Sequence, residues 1–270
     1  MVTDLFDNVY ELIDSTTFKL RRISPNLWQI FELTYKALKT HAINWIEGQC
    51  NVPISLPRPI ADASQTEMIP TLDNFLSYGS DVFKSRGDYR NMIVDIYTTV
   101  LNSDSLGEND FINGSKLADS ILLNLRGHVD DVSGSIQTSA PGTHGIPQYL
   151  QVIINTTLAH FDSAKTNKFR LANLEVLINC VLYNPVAGFH FIETYSPGMA
   201  RTFLDRWFTA IKAENGLPRV YDKRLTIIAL SALMEMEQST IPEPLKEAWQ
   251  FMVSGALKVF EGLPKAVAGK

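Results

Sequence analysis

The sequence predicts an all-α protein, a right-handed α-solenoid of stacked antiparallel helical hairpins of the HEAT or armadillo kind. Apolar residues recur at i, i+3, i+4 and i+7 in stretch after stretch, as in Phe203, Leu204, Trp207, Phe208 and Ile211. Only an α-helix brings that spacing onto one face. The stretches are divided by Pro, Gly or Asn, residues that start and stop helices. No sustained alternation of apolar and polar residues, the mark of a strand, interrupts them.

The first helix is expected to be short, with Leu5, Val9, Leu12 and Ile13 on one face, and to end in the polar run Asp14 to Thr17. Ser24-Pro25 opens the second, since a hydroxyl accepts an orphan N–H and proline is pre-set for the first turn. Leu27, Trp28, Phe31, Tyr35 and Leu38 face inward from it. Residues 48–66 break the rhythm with Pro53, Pro57 and Pro59, which cannot occupy a helix interior, so an exposed loop is expected there. Helices resume at Met68-Ile69-Pro70 and stop at Gly79. Asp88 is the expected N-cap of the next, and Leu117, Ile121, Leu122 and Leu125 belong to its antiparallel partner. A second exposed loop, residues 133–145, is rich in Ser, Gly, Thr and Pro and has little to bury.

The pattern then sharpens. A helix starts near Pro147, and the next, from about Asn167 to Leu182, is apolar almost all round and must be sheltered on both sides. Asn184-Pro185, Ser196-Pro197 and Gly216-Leu217-Pro218 mark three further starts, and a last helix runs from Pro242 to about Glu261. Paired starts recur about every 45–55 residues, the period of stacked HEAT or armadillo hairpins. A bundle of ten helices around one centre is the competing reading; the regular order of amphipathic and sheltered helices favours the stack. The whole chain, residues 1–270, is therefore read as one solenoid segment with two exposed loops.

Composition narrows function. A net charge of −5 argues against a phosphate-neutralising, nucleic-acid-binding protein. No apolar run reaches the ~18 residues that cross a bilayer, so no membrane partner is expected. Cys50 and Cys180 are far apart and lack metal or redox spacing, which points to reduced thiols. His41, His128, His144, His160 and His190 form no helical metal pair, and neither a nucleophile elbow nor a phosphate loop is present. The expectation is a protein that is not an enzyme and has no cofactor or metal.

Three residues stand out. Asp222 opens a helix in Tyr221-Asp222-Lys223-Arg224 and is read as a rung between repeats, with the two bases solvated. Trp207 and Trp249 sit mid-stripe and are read as core residues. The competing reading seats one of them in a groove between outer helices, where a partner's Phe ring inserts.

The runs Ile23-Ser24-Pro25-Asn26-Leu27-Trp28, Met68-Ile69-Pro70-Thr71-Leu72-Asp73-Asn74-Phe75, Tyr183-Asn184-Pro185 and Asp222-Lys223-Arg224-Leu225 resemble segments of importin-beta-type nuclear transport receptors. They are similar to the C-terminal half of the importin seven and eight branch, as is the ending Ala256 to Lys265. The resemblance implies a HEAT-repeat superhelix that carries protein cargo through the nuclear pore, shuttling between cytoplasm and nucleus. It implies Phe-Gly nucleoporins on the convex side, and cargo and the GTPase Ran on the concave side. Ran binding is expected of the full-length family rather than of this chain alone, because the Ran-binding repeats have no counterpart in it. The alternative is a helical scaffold that holds a complex together with no transport role.

Overall fold

A computed structural model describes residues 3–40, 68–126, 148–237 and 241–268. Both loops anticipated above, residues 48–66 and 133–145, lie outside these. The described residues form twelve helices and no strand. They divide into two compact units, Met1–Leu125 and Arg126–Lys270.

The first unit holds α1 (Thr3–Leu20), α2 (Leu27–Thr40), α3 (Met68–Tyr78), α4 (Ser80–Ser85), α5 (Gly87–Leu101) and α6 (Glu108–Asn124). Its helices lie in two layers. In one, α1 packs on α3 and α3 on α6; in the other, α2 and α4 pack on α5, and α5 also meets α6 across the layers. Helices of successive turns thus pack on one another within each layer, as in the stacking of HEAT-type repeats.

α1 is longer than its sequence promises. The polar run does not end it, because those side chains form a seam with α3. The Thr17 hydroxyl, fully buried, donates to Ile13 O at 2.7 Å, and the Asn74 amide donates to Asp14 Oδ1 at 2.8 Å and Thr17 Oγ1 at 3.0 Å. Of the expected face, Ile13 is buried but Leu12 is 67% exposed.

Between the layers sits an aromatic cluster. Trp28 stacks on Tyr89 (centroids 5.1 Å apart, planes 15°) and meets Phe75 and Phe83 edge-on at 5.3 and 5.4 Å. A Cβ at Gly79 would fall 2.7 Å from the Trp28 ring and 2.6 Å from Phe75 O, so only glycine lets α3 turn into α4 there. The six-residue α4 is too short for periodicity to reveal. Its end is held by Arg90, whose Nη1 donates to Phe83 O and Lys84 O, both at 2.6 Å. Asp88 is not the N-cap of α5. That place is taken by Arg86, and Asp88 sits in the first turn, paired with the Arg86 guanidinium, which also covers the Tyr89 ring at 3.7 Å.

The second unit comprises α7 (Gln148–Ala159), α8 (Asn167–Tyr183), α9 (Pro185–Tyr195), α10 (Met199–Lys212), α11 (Val220–Met234) and α12 (Glu243–Ala268). Again there are two layers: α7, α9, α10 and α12 follow one another in the first, and α8 packs on α11 in the second. α8 is sheltered nearly all round, with Phe169 and the whole of 172–182 buried. Its start is capped by the Thr166 hydroxyl, accepting from Phe169 N at 3.2 Å. Asn184 caps α9 the same way, accepting from Ala187 N at 3.1 Å, with Pro185 at the first turn.

α9 and α10 share a layer because the chain turns sharply between them. Gly198 adopts φ +80°, a left-handed conformation that glycine enters without a Cβ penalty. The Glu193 carboxylate then accepts from Gly198 N at 2.7 Å and Ala200 N at 3.1 Å. α12 runs past its expected end at Glu261 and carries Pro264 within it.

Candidate functional site

Among the described residues of the second unit, two grooves lie between helices. The larger, about 910 Å³, lies between α8 and α10. Leu171, Leu174 and Pro218 give it an apolar floor, and Asp205 and Arg206 stand on its α10 wall. Arg206 also clasps the turn after α7. Its guanidinium covers the Phe161 ring at 4.1 Å, Nη1 donates to Phe161 O at 2.6 Å, and Nη2 pairs with Asp162.

A second groove of about 700 Å³ opens between the end of α11 and the start of α12. Met234, Met236, Ile241 and Trp249 line it, with Lys246 at the rim, paired to Glu243 at 2.8 Å. Methionine reshapes easily around an apolar guest, and an indole gives a broad flat contact. Trp249 is 36% exposed, so the burial expected of it does not hold. It heads a face of α12 that continues through Val253, Leu257 and Phe260, all exposed among the described residues. The adjoining face, with Leu245, Ala248, Met252 and Val259, is buried against α10 and α11.

Trp207 sits quite differently. It is fully buried, stacked near Phe203 and Phe208, and its Nε1 donates to the Thr226 hydroxyl at 3.3 Å. It lines neither groove.

Asp222 is buried in the first turn of α11 and takes part in a three-residue charge cluster. Its Oδ1 and Oδ2 accept from Arg219 Nε and from Arg219 N, each at 2.8 Å. Arg219 Nη2 reaches across to the Glu175 carboxyl on α8. Burial first, and then the Asp222 carboxyl beside it, pushes Glu175 up to about 9, against the pull of Arg219. Of the neighbouring bases, Arg224 is exposed, but Lys223 is half-buried and donates to Leu217 O at 2.6 Å. Sequence reasoning singled out neither Glu175 nor Arg219. The first lies inside a helix buried nearly all round, and the second precedes α11 as an ordinary exposed base.

No group of three or more His, Cys, Asp or Glu among the described residues is placed to hold a metal ion. No helix among them is long and apolar enough to cross a membrane.

In sequence the chain is similar to nuclear transport receptors of importin-beta type. The chain is 25% identical over 269 residues to importin-8 of Danio rerio, covering 97% of this chain and 22% of that protein. Human importin-8 matches at 23% over 266 residues, 96% of this chain and 22% of the relative. The probable importin-7 homolog of Dictyostelium discoideum is 23% identical over 233 residues, 86% of this chain and 18% of its own length. An importin beta-like homolog of Arabidopsis thaliana matches over 88% of this chain at 19% identity. The chain spans about a fifth of the length of these curated relatives. No family model and no solved structure matches it.

Proposed function

We propose that the chain is part of a nuclear import receptor that carries protein cargo through the nuclear pore under Ran control, shuttling between cytoplasm and nucleus. The observation that carries this reading is likeness to importin-7 and importin-8 proteins along nearly the whole chain, 86% to 97% of it. A stack of helical repeats suits the role, since it spreads many modest contacts over a long surface. In this reading the α11–α12 groove receives the Phe side chains of Phe-Gly nucleoporins, one ring at a time against Trp249 and the two methionines. The α8–α10 groove, with mixed charge above an apolar floor, supplies cargo contacts.

The test is retention of nucleoporins on the immobilised chain from nuclear extract, with and without Ran loaded with GTP. Retention of Phe-Gly nucleoporins, competed by free Phe-Gly peptide, supports the receptor reading. Retention of a stable complex lacking them, indifferent to the peptide, supports a helical scaffold instead.

A further inference from the structure

We infer that Glu175 is held as a neutral acid that donates its proton to Asp222, and that this shared proton locks α8 to α11. Both carboxyl groups are shut away from water, the side chains being 5% and 0% exposed, with one guanidinium between them. Arg219 already engages both oxygens of Asp222 and one of Glu175. The one guanidinium thus holds the two carboxyl groups side by side, and each acts on the other. Two ionised carboxylates can only accept, so a bond between them requires a proton on one.

The charge count agrees. With both acids ionised, the cluster would carry an uncompensated negative charge where water cannot reach it. Arg219 supplies one positive charge against two carboxylates, and half of its side chain faces solvent. Helices α7, α9, α10 and α11 surround α8, and the described charged groups acting on Glu175 are Asp222 of α11 and Arg219 just before it. Burial and Asp222 both favour the neutral acid, and only Arg219 opposes it.

The sign follows from linkage. Glu175 is raised in the folded chain, so its contribution is whole below the ordinary value of 4.5 and is lost as pH rises through the raised one. Across that window the folding equilibrium falls by about tenfold per pH unit from this group. The lock also concerns the grooves. α8 supplies Leu171 and Leu174 to the first, and α11 supplies Met234 to the second. Losing the proton loosens a wall of each.

The experiment compares the chain with Glu175→Gln, which keeps the shape of the acid and offers an amide N–H to Asp222. Urea midpoints are measured from pH 5 to pH 9.5, with hydrogen exchange of the α11 amides at the two ends. The parent should lose stability relative to the variant as pH rises, by about tenfold in the folding constant per unit. Its α11 amides should exchange faster than the variant's at high pH and alike at low pH. Parallel profiles, or equal exchange at high pH, would overturn the inference. So would a variant that fails to fold at pH 6, because a neutral amide should replace a neutral acid there.

Discussion

The Trp207 indole donates to the Thr226 hydroxyl at 3.3 Å, and neither side chain is reached by solvent. The bond ties α10 to α11 across the layers of the second unit, and the ring fills the space around it with Phe203 and Phe208 at its sides. Trp207→Ala should therefore cost about 3–5 kcal/mol, as for other large core aromatics. Trp207→Phe, which keeps most of the apolar volume but drops the donor, should cost less. Urea unfolding of the two variants checks the order.

Gly79→Ala should destabilise the first unit although it adds a single methyl. That methyl would meet Phe75 O at 2.6 Å and the Trp28 ring at 2.7 Å. Trp28 has no room to withdraw, being packed by Phe31, Phe75, Phe83 and Tyr89. A cost of about 1–3 kcal/mol is expected from overpacking of this kind. Thermal unfolding followed by near-ultraviolet circular dichroism would report both the loss and the disturbed Trp28 environment.

The helices were legible where apolar stripes were long and their ends carried chemistry. The start of α9 at Asn184-Pro185 could be read directly, because an amide oxygen before a proline is itself a cap. α1 was read short for a definite reason: Asp14 and Thr17 look like a polar stop until Asn74, sixty residues on, is seen to bond them. Trp207 and Trp249 are indistinguishable in sequence, since periodicity marks which residues share a face and not whether another helix covers it. Asp222 was conspicuous at a helix start, but Glu175 was not, because its partner Arg219 is 44 positions away. The grooves could not be read at all. They arise where α8 meets α10 and where α11 meets α12, and no local pattern encodes such spacing.

Asn74→Ala should loosen the seam between α1 and α3. The side chain is buried, and its amide bonds both Asp14 and Thr17. Removing it leaves those acceptors without that donor, at a cost of about 1–3 kcal/mol. Hydrogen exchange should show faster opening of α1 in the variant while α8 is unchanged.

The most direct measurement of the receptor reading is the affinity of the chain and of Trp249→Ala for a Phe-Gly repeat peptide, with a Ser-Gly peptide as control. Trp249 is partly exposed at the groove, so the variant should keep most of its stability. The account predicts that the chain binds the Phe-Gly peptide and not the control, and that Trp249→Ala weakens binding by about tenfold or more, the loss of one aromatic anchor. Equal binding by chain and variant would remove Phe recognition from the α11–α12 groove. No binding by the chain itself would contradict its part in contacting the pore.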